Sequence, residues 1–212
     1  MALKDENLIA SLRRELTLPL PGKEIQYHMA PVGRDNRLPR FTGREKPRAS
    51  SVMILLYRED DRWKFPLILR PEYSGVHSGQ MALPGGRGED FDRDRIATAL
   101  RETREEIGIN ATGIEVVGKL TELDVVASNN NVLPVVGYFP GMPVFNPDPE
   151  EVQSIHIVCL DEIMEEHSVK YTTLTINEKY NIETPYYDVG GNIVWGATAM
   201  ILSEFLYIVK RI

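Results

Sequence analysis

The sequence predicts a protein of the α/β class, because β-rich runs lie on both sides of a well-marked amphipathic helix. Residues 51–57 form an almost continuous apolar run, which is typical of a strand buried on both faces. Residues 63–69 follow a polar turn and should pair with that strand as a hairpin. Residues 92–107 carry apolar side chains at helical spacing, and Gly108 supplies the stop. Two further β-rich runs, 115–123 and 132–139, follow this helix.

The segments outside this centre are shorter and less regular. Residues 5–17 predict an amphipathic helix, and residues 22–48 are expected to be extended or looped and rich in arginine. We interpret this basic segment as a solvated surface stretch, or alternatively as a source of phosphate-binding arginines. The predicted organisation is an N-terminal helix and basic segment, 1–48, packed on one globular domain, 49–212. Later elements are expected to be strands at 155–158, 171–176 and 185–189, a short helix at 160–166 and an apolar helix that ends near Val209.

Composition restricts the classes of partner. The chain has 212 residues, a formal net charge of −7 and a single cysteine, Cys159. This charge argues against a protein that coats nucleic acid, and it means that an anionic substrate must be met by local arginines and metal. One cysteine allows no intrachain disulfide, so a reducing cytoplasm is the expected compartment. The first residues lack the apolar core of a signal peptide, and no run approaches the roughly 20 apolar residues of a membrane span.

The predicted central helix carries an acidic cluster near its C-terminal end. Glu102, Glu105 and Glu106 are spaced i, i+3 and i+4, so their side chains share one face. Like charges at this spacing destabilise a helix by a few tenths of a kcal/mol, whereas a divalent cation such as Mg²⁺ prefers carboxylate oxygens. The cluster therefore predicts a metal site, with a solvated helix face as the alternative. Asp92 is the predicted N-cap of this helix.

The turn before the helix and the end of the helix carry a family resemblance. Gly85 and Gly86 let the backbone turn tightly and approach a ligand. The run from Arg101 to Ile109, RETREEIGI, resembles the second half of the box of the Nudix hydrolase family, R-E-U-x-E-E-x-G-U, where U is a bulky apolar residue. Fourteen residues rather than thirteen separate Gly86 from Arg101, and an aspartate, residue 92, stands where the box has its first glutamate.

This longer spacing resembles the coenzyme A pyrophosphatase branch of the family. Residues 66–71 and 79–86 follow the upstream signature of that branch, with Gly75 and Leu83 where the branch has arginine and phenylalanine. The resemblance implies an α/β/α sandwich with a mixed β-sheet. Periodicity alone would not have selected this fold.

The resemblance also implies a hydrolase that uses Mg²⁺ or Mn²⁺. Arg101 would orient the carboxylates through charge-assisted hydrogen bonds. Glu105, or alternatively Glu151, would accept a proton from the attacking water. The resemblance also allows Glu151 to be an additional metal ligand, and a helix or strand cap is the other alternative for this residue. The metal ligands implied by the resemblance are Glu102, Glu105, Glu106 and the carbonyl group of Gly86.

Arginines near the glycine turn are the candidates to bind substrate phosphates. The predicted substrate-binding residues are Arg48, Arg70, Arg87, Gly85 and Gly86. His77 lies in the loop before the turn, where a structural role and a functional role both remain open.

The branch resemblance implies a small-molecule nucleotide as substrate. Coenzyme A or acyl-coenzyme A would be split into 3′,5′-ADP and the 4′-phosphopantetheine fragment. The alternatives are the hydrolysis of ADP-ribose or another nucleoside diphosphate derivative, and a Nudix-shaped nucleotide sensor without turnover. We expect neither nucleic acid nor a membrane as partner, and a homodimer is left open.

Overall fold

Two β-sheets organise the computed structural model, which describes residues 7–33, 46–72, 77–176 and 180–212. The strands, numbered along the chain, are β1 (Val32–Gly33), β2 (Arg48–Glu59), β3 (Arg62–Leu69), β4 (Met81–Ala82), β5 (Gly85–Arg87), β6 (Glu115–Lys119), β7 (Leu123–Val125), β8 (Asn130–Tyr138), β9 (Ser154–Cys159), β10 (Val169–Ile176), β11 (Tyr180–Val189) and β12 (Asn192–Val194).

The larger sheet is mixed. Its strand order is β4-β3-β2-β8-β6, while β5 pairs with β2, β7 with β8 and β9 with β3. Strands β2 and β8 run parallel from Arg48↔Asn130 to Leu56↔Tyr138, and the other recorded pairs in this sheet are antiparallel. The smaller sheet has the order β1-β11-β10, with β12 beside β11.

Helices cover both faces of the larger sheet. They are α1 (Leu8–Glu15), α2 (Lys23–Gln26), α3 (Arg95–Ile107), α4 (Leu160–Ile163) and α5 (Gly196–Val209). Within the described ranges, no helix is long and apolar enough to cross a membrane.

Alternation along β2 divides the core into two layers. Ile54 and Leu56 pack in the cluster that contains α1 and α5, whereas Met53 and Leu55 pack in the cluster that contains α3. Successive side chains of a strand point to opposite faces, so a buried strand supplies both layers. The predicted α/β/α sandwich with a mixed sheet is confirmed.

Three local predictions need correction. Residues 22–48 are not wholly extended, because α2 and a 3₁₀ turn at Tyr27–Met29 lie within them. Helix α3 begins at Arg95, and its N-cap is Asp94 rather than Asp92. A short strand, β12, precedes α5 where the sequence predicted only a turn and the approach to a helix. The predicted basic segment includes Arg34, Arg37, Arg40 and Arg44, which lie outside the described residues.

The described part of the N-terminal segment packs on the same core. Leu8 and Leu12 of α1 are fully buried there. Gln26 of α2 donates a hydrogen bond to the buried Glu204 of α5 at 2.8 Å. The predicted domain boundary at residue 48 stays a prediction.

Candidate metal centre

The site is built against a turn of two glycines in β5. Gly85 has a φ of 151°, and a Cβ atom there would collide with the carbonyl oxygen of Ser51. A Cβ atom on Gly86 would lie 2.5 Å from Oε2 of Glu102. Glycine is therefore required at position 85 by the backbone conformation, whereas a side chain at position 86 would displace the Glu102 carboxylate from the turn.

Helix α3 presents two carboxylates to this turn. Asp94 caps the helix by accepting a hydrogen bond from the Ala97 amide at 2.8 Å, and Gly108 ends it with a φ of 77°. Glu102 and Glu106 are one turn apart on the same face. The Gly85 amide donates a hydrogen bond to Oε2 of Glu106 at 2.7 Å, so the turn and the helix are joined directly.

A third carboxylate reaches the same place from the loop between β8 and β9. Glu102, Glu106 and Glu151 each offer a carboxylate oxygen, and these atoms all lie within 4.8 Å of one another. The loop is tied to the end of α3, because the Asp148 amide donates to the Glu106 carbonyl oxygen at 3.1 Å. Glu106 is only 2% exposed, whereas Glu151 is exposed.

Arg101 connects the acidic residues around the cluster. Its guanidinium group lies 3.0 Å from Asp92, 2.9 Å from Glu102 and 2.6 Å from Glu105. It also donates a hydrogen bond to the Arg87 carbonyl oxygen at 2.8 Å. Arg101 therefore orients Glu102, while Glu105 is directed to Arg101 and lies outside the three-carboxylate cluster.

The electrostatics of the cluster favour a bound cation. Burial, reinforced by the charges of Glu102 and Glu151 and opposed by Arg70 and the Gly85 amide, raises the pKa of Glu106 to about 8. Burial also raises the pKa of Glu102, against the opposing effect of Arg101.

The pKa of Asp92 shifts the other way. The hydrogen bond from Arg101 is the main cause that lowers it to about 2, and bonds from the Glu89 amide and Thr98 add to the effect. Asp92 is therefore a fixed negative partner for Arg101, which explains why it is not the helix cap.

The comparisons with known proteins agree with this geometry. A family model described as "NUDIX domain" matches residues 47–175, which is more than half of the chain. This chain belongs to the Nudix family. Nudix hydrolase 15, mitochondrial, from Arabidopsis thaliana is 32% identical over 186 residues, which cover 84% of this chain and 62% of that protein. An uncharacterised Nudix hydrolase, NudL, from Pectobacterium atrosepticum is 37% identical over 129 residues, which cover 60% of this chain and 66% of that protein.

The chain thus spans less than two thirds of the length of each of these two curated relatives. A crystal structure of a MutT/nudix family protein from Enterococcus faecalis superposes with a TM-score of 0.52. It is 21% identical and covers 79% of this chain and 64% of that one, so it supports the fold alone.

The residues of this Nudix domain fit a divalent cation. Three carboxylates converge within 4.8 Å, and two of them have raised pKa values because they are partly or fully buried beside like charges. Hard cations such as Mg²⁺ and Mn²⁺ take such oxygen ligands, and a cation reverses the like-charge repulsion. Glu102, Glu106 and Glu151 would hold the ion, and a role for the Gly86 carbonyl stays a prediction.

The predicted phosphate-binding arginines occupy different places in the Nudix domain. Arg70 is about a quarter exposed, donates to the Gly85 carbonyl oxygen at 3.0 Å and lies 3.5 Å from Glu106. Arg48 and Arg87 are exposed on β2 and β5. Nδ1 of His77 lies 3.2 Å from Oε1 of Gln80, just before the turn.

Arg95 was not recognised from the sequence as a residue that positions the site. It donates to the carbonyl oxygens of Ser50 and Asn131 at 2.7 and 2.8 Å, and so fixes the start of α3 to β2 and β8. A basic residue in the first turn of a helix opposes the helix dipole, which was the available signal for a specific partner.

Proposed function

We propose that this protein is a Mg²⁺- or Mn²⁺-dependent hydrolase that splits the diphosphate bond of a nucleoside diphosphate derivative. The observation that carries the proposal is the convergence of Glu102, Glu106 and Glu151 within 4.8 Å beside the Gly85–Gly86 turn. Membership of the Nudix family supports it, because two of the box carboxylates on α3, Glu102 and Glu106, are among the three that converge.

The protein's own residues have distinct tasks in this reaction. Arg101 holds Glu102 in place, and the Gly85 amide holds Glu106. Arg70 lies beside Glu106 and the Gly85 carbonyl, where a guanidinium group can bind a diphosphate oxygen bidentately. When bound, the metal would neutralise charge on the diphosphate and make a water molecule more acidic.

The proton acceptor for the attacking water is proposed to be Glu105 or Glu151. Glu151 is the exposed member of the carboxylate cluster, so it can accept a proton on the solvent side. Glu105 is half exposed and is paired with Arg101 at 2.6 Å, so it must leave that pair before it can act.

We propose coenzyme A or its acyl derivatives as the substrate. The support is the extended box spacing with Asp92, together with the upstream residues that resemble the coenzyme A pyrophosphatase branch. The predicted products are 3′,5′-ADP and 4′-phosphopantetheine or its acyl derivative. A cytoplasmic location, a homodimer and the absence of nucleic-acid and membrane partners stay predictions.

A substrate panel followed by mass spectrometry tests both levels of this proposal. The purified protein is incubated with coenzyme A, acetyl-coenzyme A, ADP-ribose and diadenosine polyphosphates, with and without millimolar Mg²⁺ or Mn²⁺. We expect metal-dependent release of both coenzyme A fragments, which Glu106→Gln abolishes and the exposed control Glu165→Gln retains. Intact coenzyme A beside rapid ADP-ribose cleavage overturns the substrate, and no turnover of any compound overturns the enzyme.

A further inference from the structure

A second group of polar side chains lies on the opposite face of β2 from the carboxylate cluster. The antiparallel register pairs Ser50 with Arg87 and Ser51 with Gly86. Paired residues of neighbouring strands project to the same face, and Gly86 faces Glu102 of α3. Arg87 and Ser50 therefore project to the other face, the one that carries Ile54 and Leu56 further along β2.

Two more residues share that face at the same end of the sheet. Arg48 precedes Ser50 by two positions, so it projects in the same direction. The parallel register places Asn130 of β8 opposite Arg48. Arg48, Ser50, Arg87 and Asn130 thus occupy adjacent positions on three neighbouring strands.

The positive charge of this group is not neutralised by the part of the chain that the structure describes. Arg48 and Arg87 are exposed, and no carboxylate of a described residue lies within ion-pair distance of either guanidinium group. The other arginines next to the turn differ, because Arg70 and Arg101 contact cluster carboxylates. Two uncompensated guanidinium groups are unusual beside an acidic cluster in a chain of net charge −7.

Two buried polar atoms in the same group also lack partners. Ser50 is 5% exposed, and neither its Oγ nor Oδ1 of Asn130 has a hydrogen-bond partner among the described residues. A buried polar atom without a partner costs free energy, so such atoms indicate a place where a ligand or an ordered water molecule completes the bonding. The hydroxyl can donate, whereas the amide oxygen can only accept.

We propose that Arg48, Arg87, Ser50 and Asn130 form a subsite for a phosphomonoester on the ribose of the substrate. This subsite is separate from the diphosphate site at Glu102, Glu106 and Arg70, and the inference rests on the proposed function. A phosphate dianion matches two guanidinium groups and accepts from the Ser50 hydroxyl. The ribose hydroxyl next to that phosphate supplies the donor for Oδ1 of Asn130.

The subsite makes the ribose phosphate a determinant of specificity. Arg87 follows Gly86 directly, so a nucleotide whose diphosphate lies at the turn extends past β5 to the opposite face. A substrate without the ribose phosphate leaves both arginines without an anion and therefore binds less tightly.

Matched nucleotide pairs test the subsite through turnover and through binding. Turnover is measured for coenzyme A against dephospho-coenzyme A, which differ only in the 3′-phosphate. Binding without metal is measured by calorimetry for adenosine 3′,5′-bisphosphate against AMP. The variants are Arg48→Ala and Arg87→Ala, and the control for loss of one positive charge is the exposed Arg93→Ala.

The wild-type protein should prefer the phosphorylated member of each pair by about tenfold or more, as expected for charge-assisted hydrogen bonds. Each subsite variant should remove most of this preference by raising KM for coenzyme A more than KM for dephospho-coenzyme A, and Arg93→Ala should retain the preference. Equal wild-type affinity for both nucleotides, or an equal loss on both members in the variants, overturns the subsite. If neither coenzyme is cleaved, the proposed coenzyme A substrate fails, and the two binding affinities still decide whether the subsite exists.

Discussion

Lowering the pH from 9 to 6 should weaken magnesium binding to this protein, because the buried carboxyl group of Glu106 must lose its proton before it can bind the ion. Its pKa is raised to about 8, first by burial and then by the neighbouring charges of Glu102 and Glu151. Arg70 and the Gly85 amide oppose this rise without cancelling it. Metal binding to such a group is therefore coupled to proton release.

The magnitude follows from this pKa. At pH 7, two-state titration with a pKa of about 8 leaves about 0.9 of the Glu106 side chains protonated, so each bound ion releases about 0.9 proton. Below pH 8 the apparent affinity should fall by about tenfold per pH unit, and so by about 100-fold at pH 6. Above pH 9 the affinity should reach a plateau.

Calorimetry measures both quantities. Mg²⁺ is titrated into the metal-free protein at pH 6, 7, 8 and 9, in two buffers whose ionisation enthalpies differ. The difference between the observed enthalpies in the two buffers gives the number of protons released. A substrate is not required, so the result does not depend on turnover.

The substitution Glu106→Gln separates this explanation from a general effect of pH. Its side chain has a similar shape and no ionisable group, so residual Mg²⁺ binding should be weak and nearly without proton release. The exposed control Glu165→Gln should behave like the wild-type protein. Proton release near zero at pH 7 in the wild-type protein, or an affinity that is constant from pH 6 to 9, would refute the reasoning.

Three further predictions concern stability and the neighbours of the cluster. The folded pKa of Glu106 lies above its unfolded value near 4.5, so its contribution to the stability of the metal-free protein is complete below about pH 4.5 and is lost as the pH rises through about 8. The calorimetric Tm should therefore fall over this pH range, and Glu106→Gln should remove part of the fall. A Tm profile that Glu106→Gln leaves unchanged contradicts the assignment. Glu151→Gln should weaken Mn²⁺ binding measured by electron paramagnetic resonance, whereas Glu105→Gln should leave the affinity near the wild-type value. A larger loss of affinity in Glu105→Gln than in Glu151→Gln would exclude the observed cluster as the metal site. Asp92→Asn should lower metal affinity by about 10- to 100-fold, because Arg101, which orients Glu102, loses the carboxylate that fixes its own position. Unchanged metal affinity would show that Arg101 does not depend on Asp92.

Local sequence signals predicted individual strands and helices, because those elements are encoded by neighbours in the chain, whereas the arrangement of the elements came from the family resemblance. The apolar run in β2 and the glycine stop at Gly108 each report the structure of their own segment. The prediction that Asp92 caps the helix was wrong because of a contact outside the first turn. Arg101, two turns into α3, takes the Asp92 carboxylate and leaves Asp94 to cap the first turn.

Contacts between distant segments were the features that the sequence could not supply. Spacing placed Glu102, Glu105 and Glu106 on one face, but the structure brings Glu102 and Glu106 together with Glu151 and directs Glu105 to Arg101. Which carboxylates converge depends on the loop after β8, whose path is determined by packing. The family resemblance names Glu151 as a candidate site residue, but residue order alone does not show that its carboxylate lies beside Glu102 and Glu106.

The buried Glu204 shows the same limit from the opposite side of the sheet. It accepts hydrogen bonds from the Gly22 amide, the Gln26 side chain and both the amide and the hydroxyl of Thr121. A single charged residue in an otherwise apolar helix is typical of a buried group that has hydrogen-bond partners. The identity of that partner required the structure, because it comes from segments 83 and more positions away in the sequence.

The division between local and non-local contributions bears on how the site is assembled. The glycine turn and α3 bring Glu102 and Glu106 together within one short stretch, and the Gly85 amide joins the two elements. Glu151 joins them only because Asn146 and Asp148 donate backbone hydrogen bonds to the carbonyl oxygens at the end of α3, at 3.0 and 3.1 Å. Those carbonyl groups have no hydrogen-bond partner within the helix, and the loop amides supply one. The same loop carries Glu151 to the other two carboxylates. The metal site is therefore completed by the same hydrogen bonds that terminate the helix.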